Sequence, residues 1–242
     1  VTPEVPSEVR AVADELVEAL GDDLAALLWH GSWARGEQTV ESDHDMIVVL
    51  KRIGDDTWDR MQAVFEERPG WSVYVKTEEE LRQYPITGRM QFHYGHVRLY
   101  GDFTAPALTQ QGLVEDMRRQ AVDIAHEARY RLIHDGPGKL TGLDPTLAAA
   151  RKTRLSRILY YQAKLGVLAM KARELHRGAT YPETRVELRS RLTDPTELAL
   201  IDVIDRWAQV KVGYEEDFRP LARLIDTFER GLVRELDAET TG

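Results

Sequence analysis

The chain of 242 residues contains no cysteine. A disulfide framework and a thiolate metal site are therefore excluded. Any metal must be held by carboxylate, imidazole or backbone oxygen. No apolar run approaches the roughly 20 residues that a bilayer span requires. The first residues lack the basic and then apolar pattern of a secretory signal. The expectation is a soluble, cytoplasmic protein with no membrane partner. Internal repeats and low-complexity tracts are also missing, so repeat architectures are set aside.

Positive charge is scarce in the first half. Residues 1–108 hold 10 basic and 20 acidic side chains, a net of −10. Residues 109–242 hold 22 and 21, a net of +1. An acidic first half disfavours nucleic acid as a partner and suits metal ions or cationic substrates. Within the second half, residues 151–191 carry 11 basic and 3 acidic residues. That stretch offers either a solvated helix face or a contact for an anion such as a triphosphate. Hydrophobic content of 43% is enough for a core, and the length suits two compact domains.

Val9, Val12, Leu16 and Leu20 recur at helical spacing after Ser7 and stop at Gly21. Leu24 to Trp29 and Met46 to Leu50 are short apolar runs that read as buried strands. Trp58, Met61, Val64 and Phe65 form a helical stripe ended by Pro69-Gly70, and Trp71 to Val75 reads as a third strand. Thr77 caps an acidic helix over Glu78–Leu81. A hairpin about Gly95 is expected, with Val97–Tyr100 as its second strand. Residues 101–112 read as a linker. Beyond it only helices are expected: one from Leu113, a long one over about 146–177, one opened by Asp194-Pro195 and running to about 211, and one over 219–236. The expected fold class is thus α+β, a small mixed-sheet domain over 1–105 followed by a helical bundle domain over 109–242.

Chemistry concentrates between the first two strands. Gly31 follows a buried strand, where a glycine lets the backbone turn sharply and approach a ligand closely. A helix starting at Ser32 would point its unpaired N–H groups at a phosphate, with the serine hydroxyl as a further donor and Arg35 as a charge. Asp43 and Asp45 stand two apart at the start of the next strand, so both side chains face one side. Two adjacent carboxylates call for a cation. Mg²⁺ is hard and is commonly held by one or two carboxylates plus substrate phosphates. A phosphate cradle beside a metal pair has the parts needed for phosphoryl or nucleotidyl transfer.

Gly31-Ser32-x-x-Arg35-Gly36 followed by Ser42-Asp43-x-Asp45 resembles the signature of the DNA-polymerase-β-type nucleotidyltransferase superfamily, in the branch with the minimal and aminoglycoside nucleotidyltransferases. Trp71 to Val75 with Thr77 to Leu81 resembles the third core strand and its helix, and Leu99-Tyr100-Gly101 the segment closing that domain. The resemblance covers about 20–105. It implies a nucleotidyltransferase-type fold and transfer of a nucleoside monophosphate from a Mg²⁺-bound nucleoside triphosphate, ATP by default. The acceptor would be a hydroxyl, conceivably of a cationic aminoglycoside-like molecule. Gly31 and Ser32 would hold phosphates, Asp43 and Asp45 would be the catalytic metal ligands, and Arg35 would offset phosphate charge. A homodimer is typical of the family.

One departure stands out. Active members usually carry a third carboxylate on the strand beside the pair, and that face here shows Ser72, Tyr74 and Lys76. Glu41 and Asp102 are the remaining acids near the pair. The departure favours an alternative, a catalytically inactive, antitoxin-like module that binds nucleotide or a protein partner.

Lys152, Arg154 and Lys164 on the long helix offer cations for a triphosphate; the helical period spreads them apart, and Lys164 is taken as the nucleotide-binding candidate. His30 reads as structural. His93 and His96, three apart, find no third metal ligand. Trp29, Trp33, Trp58 and Trp71 read as core, with Trp33 of interest because it lies in the phosphate turn. Arg129 and His134 have the spacing of the helical ribonuclease domains that accompany minimal nucleotidyltransferases, a third and weaker reading.

Overall fold

The computed structural model describes residues 4–40, 42–135 and 143–241. Glu41, one candidate third acid, lies outside them. The chain divides into two compact units, Val1–Leu108 and Thr109–Gly242. Its class is α+β, a small mixed sheet followed by helices, as the sequence implies.

The first unit is built around four strands: β1 (Leu24–His30), β2 (His44–Leu50), β3 (Trp71–Thr77) and β4 (Val97–Gly101). Their order is β3-β2-β1-β4. β1 runs antiparallel to β2 and to β4, whereas β2 and β3 are parallel. A parallel pair needs a crossover. That crossover is α3 (Thr57–Phe65). Alternation in the strands sorts side chains onto two faces. Leu27, Trp29, Met46, Val48 and Leu50 face α1 (Ser7–Leu20) and α3, whose Val9, Leu16, Leu20, Met61 and Val64 complete that core. Ala26, Leu28, Ile47 and Val49 face Leu81, Phe92 and Phe103. Leu81 belongs to α4 (Glu78–Gln83), opened by the expected Thr77 cap. There Thr77 and Glu80 bond each other's backbone reciprocally, which satisfies two otherwise orphaned N–H groups.

The expected hairpin about Gly95 does not form. Residues before it make the short helix α5 (Ile86–Arg89) and a 3-10 turn, Met90–Phe92, and β4 pairs with β1 alone. Phe92 belongs to the second core and Met90 is fully buried, so burial overrides local strand signals. Trp58 also departs from expectation: it is 51% exposed, on the outer side of α3.

The second unit is helical throughout its described residues. α6 (Gln110–His134), which starts inside the expected linker, packs along α11 (Arg219–Thr241). α7 (Pro145–His176) packs against both and against α9 (Pro195–Asp205) and α10 (Trp207–Glu216). The short α8 (Arg185–Arg189) had no sequence signal long enough to read. Asp194 caps α9 through Thr196 N–H at 2.7 Å, with Pro195 in the first turn. The single helix expected to about 211 is instead broken at Arg206, where no glycine or proline marks the break. Gly166 on α7 lets α9 and α11 approach: a Cβ there would lie 2.7 Å from Leu200 and 3.1 Å from Phe228. Buried Arg173 is held by Glu197 and, at 3.2 Å, by Glu235. Glu229 on α11 is different. It is 1% exposed and, among the described residues, neither carboxylate oxygen has a hydrogen-bond partner. Burial pushes its carboxyl up to about 9.

Candidate functional site

β1 delivers the chain to Gly31, the first residue of the helical turn α2 (Gly31–Ala34). Gly31 has φ of +81°, a conformation that a side chain would strain. A Cβ there would also fall 1.8 Å from Asp45 Oδ2. The backbone of the turn and the Asp45 carboxylate therefore sit in direct apposition. This contact follows from the register, in which His30 at the end of β1 pairs with Asp45 on β2.

Asp45 is the second residue of β2 and is half-buried, and Asp43, just before the strand, is exposed. Ser32 is half-buried in α2, whose first-turn N–H groups have no intrahelical acceptor. The segment returning from α2 to β2 is pinned to itself. Glu37 N–H donates to Ser32 O at 2.8 Å, and Thr39 N–H donates to Ser42 Oγ at 2.8 Å. Arg35 Nε donates to Glu37 at 3.0 Å, and its aliphatic stem lies against Gly95. Arg35 is thus ion-paired within its own turn.

His44, between the two aspartates, points to the opposite face. Its ring lies between Trp33 (centroids 4.7 Å apart) and Trp71 (5.0 Å), stacked on both. Its Nε2 is 3.1 Å from Glu8 on α1. Trp33 donates its indole N–H to Ser42 O at 3.2 Å. One aromatic sandwich thereby joins the Gly31 turn, the aspartate strand and the start of β3. Trp33 is spoken for structurally and is no base-stacking platform. The sequence contained the signal: a histidine alternating with two aspartates at a strand start must face away from them.

The third strand lies as the sequence reading placed it. β3 is parallel to β2, with Ser72 opposite Asp45, Tyr74 opposite Ile47 and Lys76 opposite Val49. The position beside the aspartate pair is a serine. Lys76 Nζ lies over the Tyr74 and Tyr84 rings at 5.4 and 5.6 Å. Asp102 is bound by Arg98 and accepts from Phe103 N–H at 2.9 Å, so it caps the end of β4. Among the described residues no group of three or more acids and histidines forms a metal cluster.

The other residues singled out by sequence have local duties. His93 Nε2 lies 2.9 Å from Pro106 O and His96 Nδ1 3.1 Å from Gln91 O. Burial pulls the His96 imidazole below its ordinary value. Both hold the loop before β4. Lys164 belongs to the second unit, exposed on α7 with Nζ 5.4 Å from the Tyr160 ring centre. Arg129 is paired with Asp226 at 2.6 Å, and His134 packs on Tyr130. Five residues of helix turn Arg129 and His134 about 140° apart, which does not converge them on one substrate.

No protein-family model matches the chain, and no curated protein matches it by sequence. Among solved structures it is similar to spectinomycin adenyltransferase AAD(9) from Enterococcus faecialis, crystallised with ATP and spectinomycin. The TM-score is 0.51 at 10% identity, over 91% of this chain and 97% of that one. A likeness at that identity carries the fold: a nucleotidyltransferase-type sheet unit followed by a helical unit. Among the described residues no helix is long and apolar enough to cross a membrane.

Proposed function

We propose that the protein is a cytoplasmic, Mg²⁺-dependent nucleotidyltransferase that moves a nucleoside monophosphate from a nucleoside triphosphate, by default ATP, to a hydroxyl acceptor. The observation that carries this reading is the apposition of Gly31 and Asp45, which sets a phosphate-sized backbone turn beside the acidic pair. Two carboxylates beside that turn fit one hard dication whose other ligands are phosphate and water. Asp43 and Asp45 would hold it, and it would supply charge neutralisation at the triphosphate. Gly31 and Ser32 bind phosphate through backbone N–H and hydroxyl groups. Arg35 offsets its charge. The acceptor oxygen attacks the α phosphorus, the bond to the pyrophosphate oxygen breaks, and the hydroxyl proton passes to a base. The acidic balance of the first half favours a cationic small molecule as acceptor, and the similar solved structure was crystallised with the small molecule spectinomycin. A homodimer belongs to the same reading.

Ser72 opposite Asp45 favours a second reading. With no carboxylate across from the pair to receive the acceptor's proton, the same cleft binds nucleotide or a partner protein and turns over slowly or not at all. Calorimetric titration of ATP and Mg²⁺ into the protein and into Asp43→Ala/Asp45→Ala tests the first step. Metal-dependent binding lost in the double variant supports the site, and pyrophosphate release then separates enzyme from binder. ATP binding that ignores both metal and substitution supports the second, non-catalytic reading, and no ATP binding at all sinks both nucleotide readings.

A further inference from the structure

A second site stands in the helical unit, built without any residue of the Gly31–Asp45 region. Between α6 and α7 runs a groove of about 850 Å³. That is within the range of pockets for small organic ligands. Its apolar floor is Ile124, Ile158 and Leu165, and the Tyr161 ring, 62% exposed, lines one wall.

The polar groups are divided along its length. Arg154 and Arg157 line one end. Neither has an acidic partner among the described residues, whereas their neighbours Arg131 and Arg151 are both held by Asp135. About two helical turns further along α7, Gln162 also lines the groove. It is 7% exposed, and its Oε1 has no donor among the described residues. A buried amide oxygen left without a donor is costly and is the kind of group that a ligand completes. Asp123, across on α6, adds a second acceptor at that end.

We propose that this groove binds a flat, largely apolar small molecule with an anionic group at one end and an amine at the other. The anion pairs with Arg154 and Arg157, the rings lie on Tyr161, Ile158 and Leu165, and the amine donates to Gln162 Oε1 and Asp123. Two guanidiniums select a carboxylate, sulfonate or phosphate with little regard to which. The amine end distinguishes the site from a plain anion patch.

The test is a fluorescence titration of the full chain with 4′-aminobiphenyl-4-carboxylate, which carries both groups on a rigid apolar body. The expected result is saturable one-to-one binding. Arg154→Ala/Arg157→Ala, both exposed positions, should weaken it by about tenfold or more, the loss of one charge-assisted bond. Gln162→Leu should weaken it similarly, and should erase the preference for this probe over biphenyl-4-carboxylate. Non-saturable binding, or affinity unchanged by the arginine double variant, would overturn the site. So would competition by Mg–ATP, since the groove would then belong to the nucleotide.

Discussion

Glu229 offers the sharpest quantitative handle on the helical unit. In the unfolded chain its carboxyl loses a proton near the ordinary value of 4.5, whereas burial in the folded chain pushes that up to about 9. Between those limits the folded state holds one more proton than the unfolded state. Stability must therefore fall as pH rises, by roughly 1.4 kcal/mol per pH unit for this group alone. Below the lower limit both states are protonated and the group contributes no pH dependence; above the upper limit the loss is complete. At pH 7 the deficit is roughly 3 kcal/mol. Glu229→Gln keeps the shape of the neutral acid and cannot ionise. It should be more stable than the parent at pH 7, with a gap that widens from pH 5 to pH 8. Urea unfolding of both proteins, followed by far-UV ellipticity across that range, measures the gap directly. Comparing the two proteins cancels histidines and other titrating groups common to both. Equal pH slopes in parent and variant would refute the claim that this carboxyl is buried and unpartnered.

Gly31→Ala places a Cβ on the Asp45 carboxylate and strains the backbone, so Mg–ATP binding by calorimetry should be lost, with a fall in melting temperature. Ser72→Asp restores an acid opposite Asp45, and pyrophosphate release should rise if only the third carboxylate is wanting. Gly166→Ala pushes against Leu200 and Phe228 and should destabilise the helical unit by roughly 1–3 kcal/mol in urea unfolding, with Mg–ATP affinity unchanged.

Much of this architecture could be read from the chain, for identifiable reasons. α1, β1, β2 and β3 are strongly periodic or strongly apolar, and Thr77 and Asp194 announce their helices through side-chain caps. Strand alternation also puts Ser72 beside Asp45, as the β2–β3 register has it. What failed depended on distant partners. A hairpin about Gly95 looks plausible until Phe92 is seen covering the second face of the sheet. The break at Arg206 is set by packing against other helices and leaves no local mark. The Trp33–His44–Trp71 sandwich needed the β2–β3 register before its members could be brought together. The groove between α6 and α7 joins residues far apart in the chain, which periodicity alone does not pair.

The antiparallel pairing of β1 with β2 bears on the order in which the molecule assembles. His30 and Asp45 are near neighbours along the chain, so closing that ladder loses little loop entropy. β3 joins only through the longer crossover across α3. The turn and the two aspartates should meet early in folding, before β3 is laid beside them. The two carboxylates would then be held side by side while the growing sheet still gives them little shelter, at the stage when a bound dication relieves the most repulsion. Magnesium added during refolding should speed this step in the parent protein and leave the Asp43→Ala/Asp45→Ala variant unaffected.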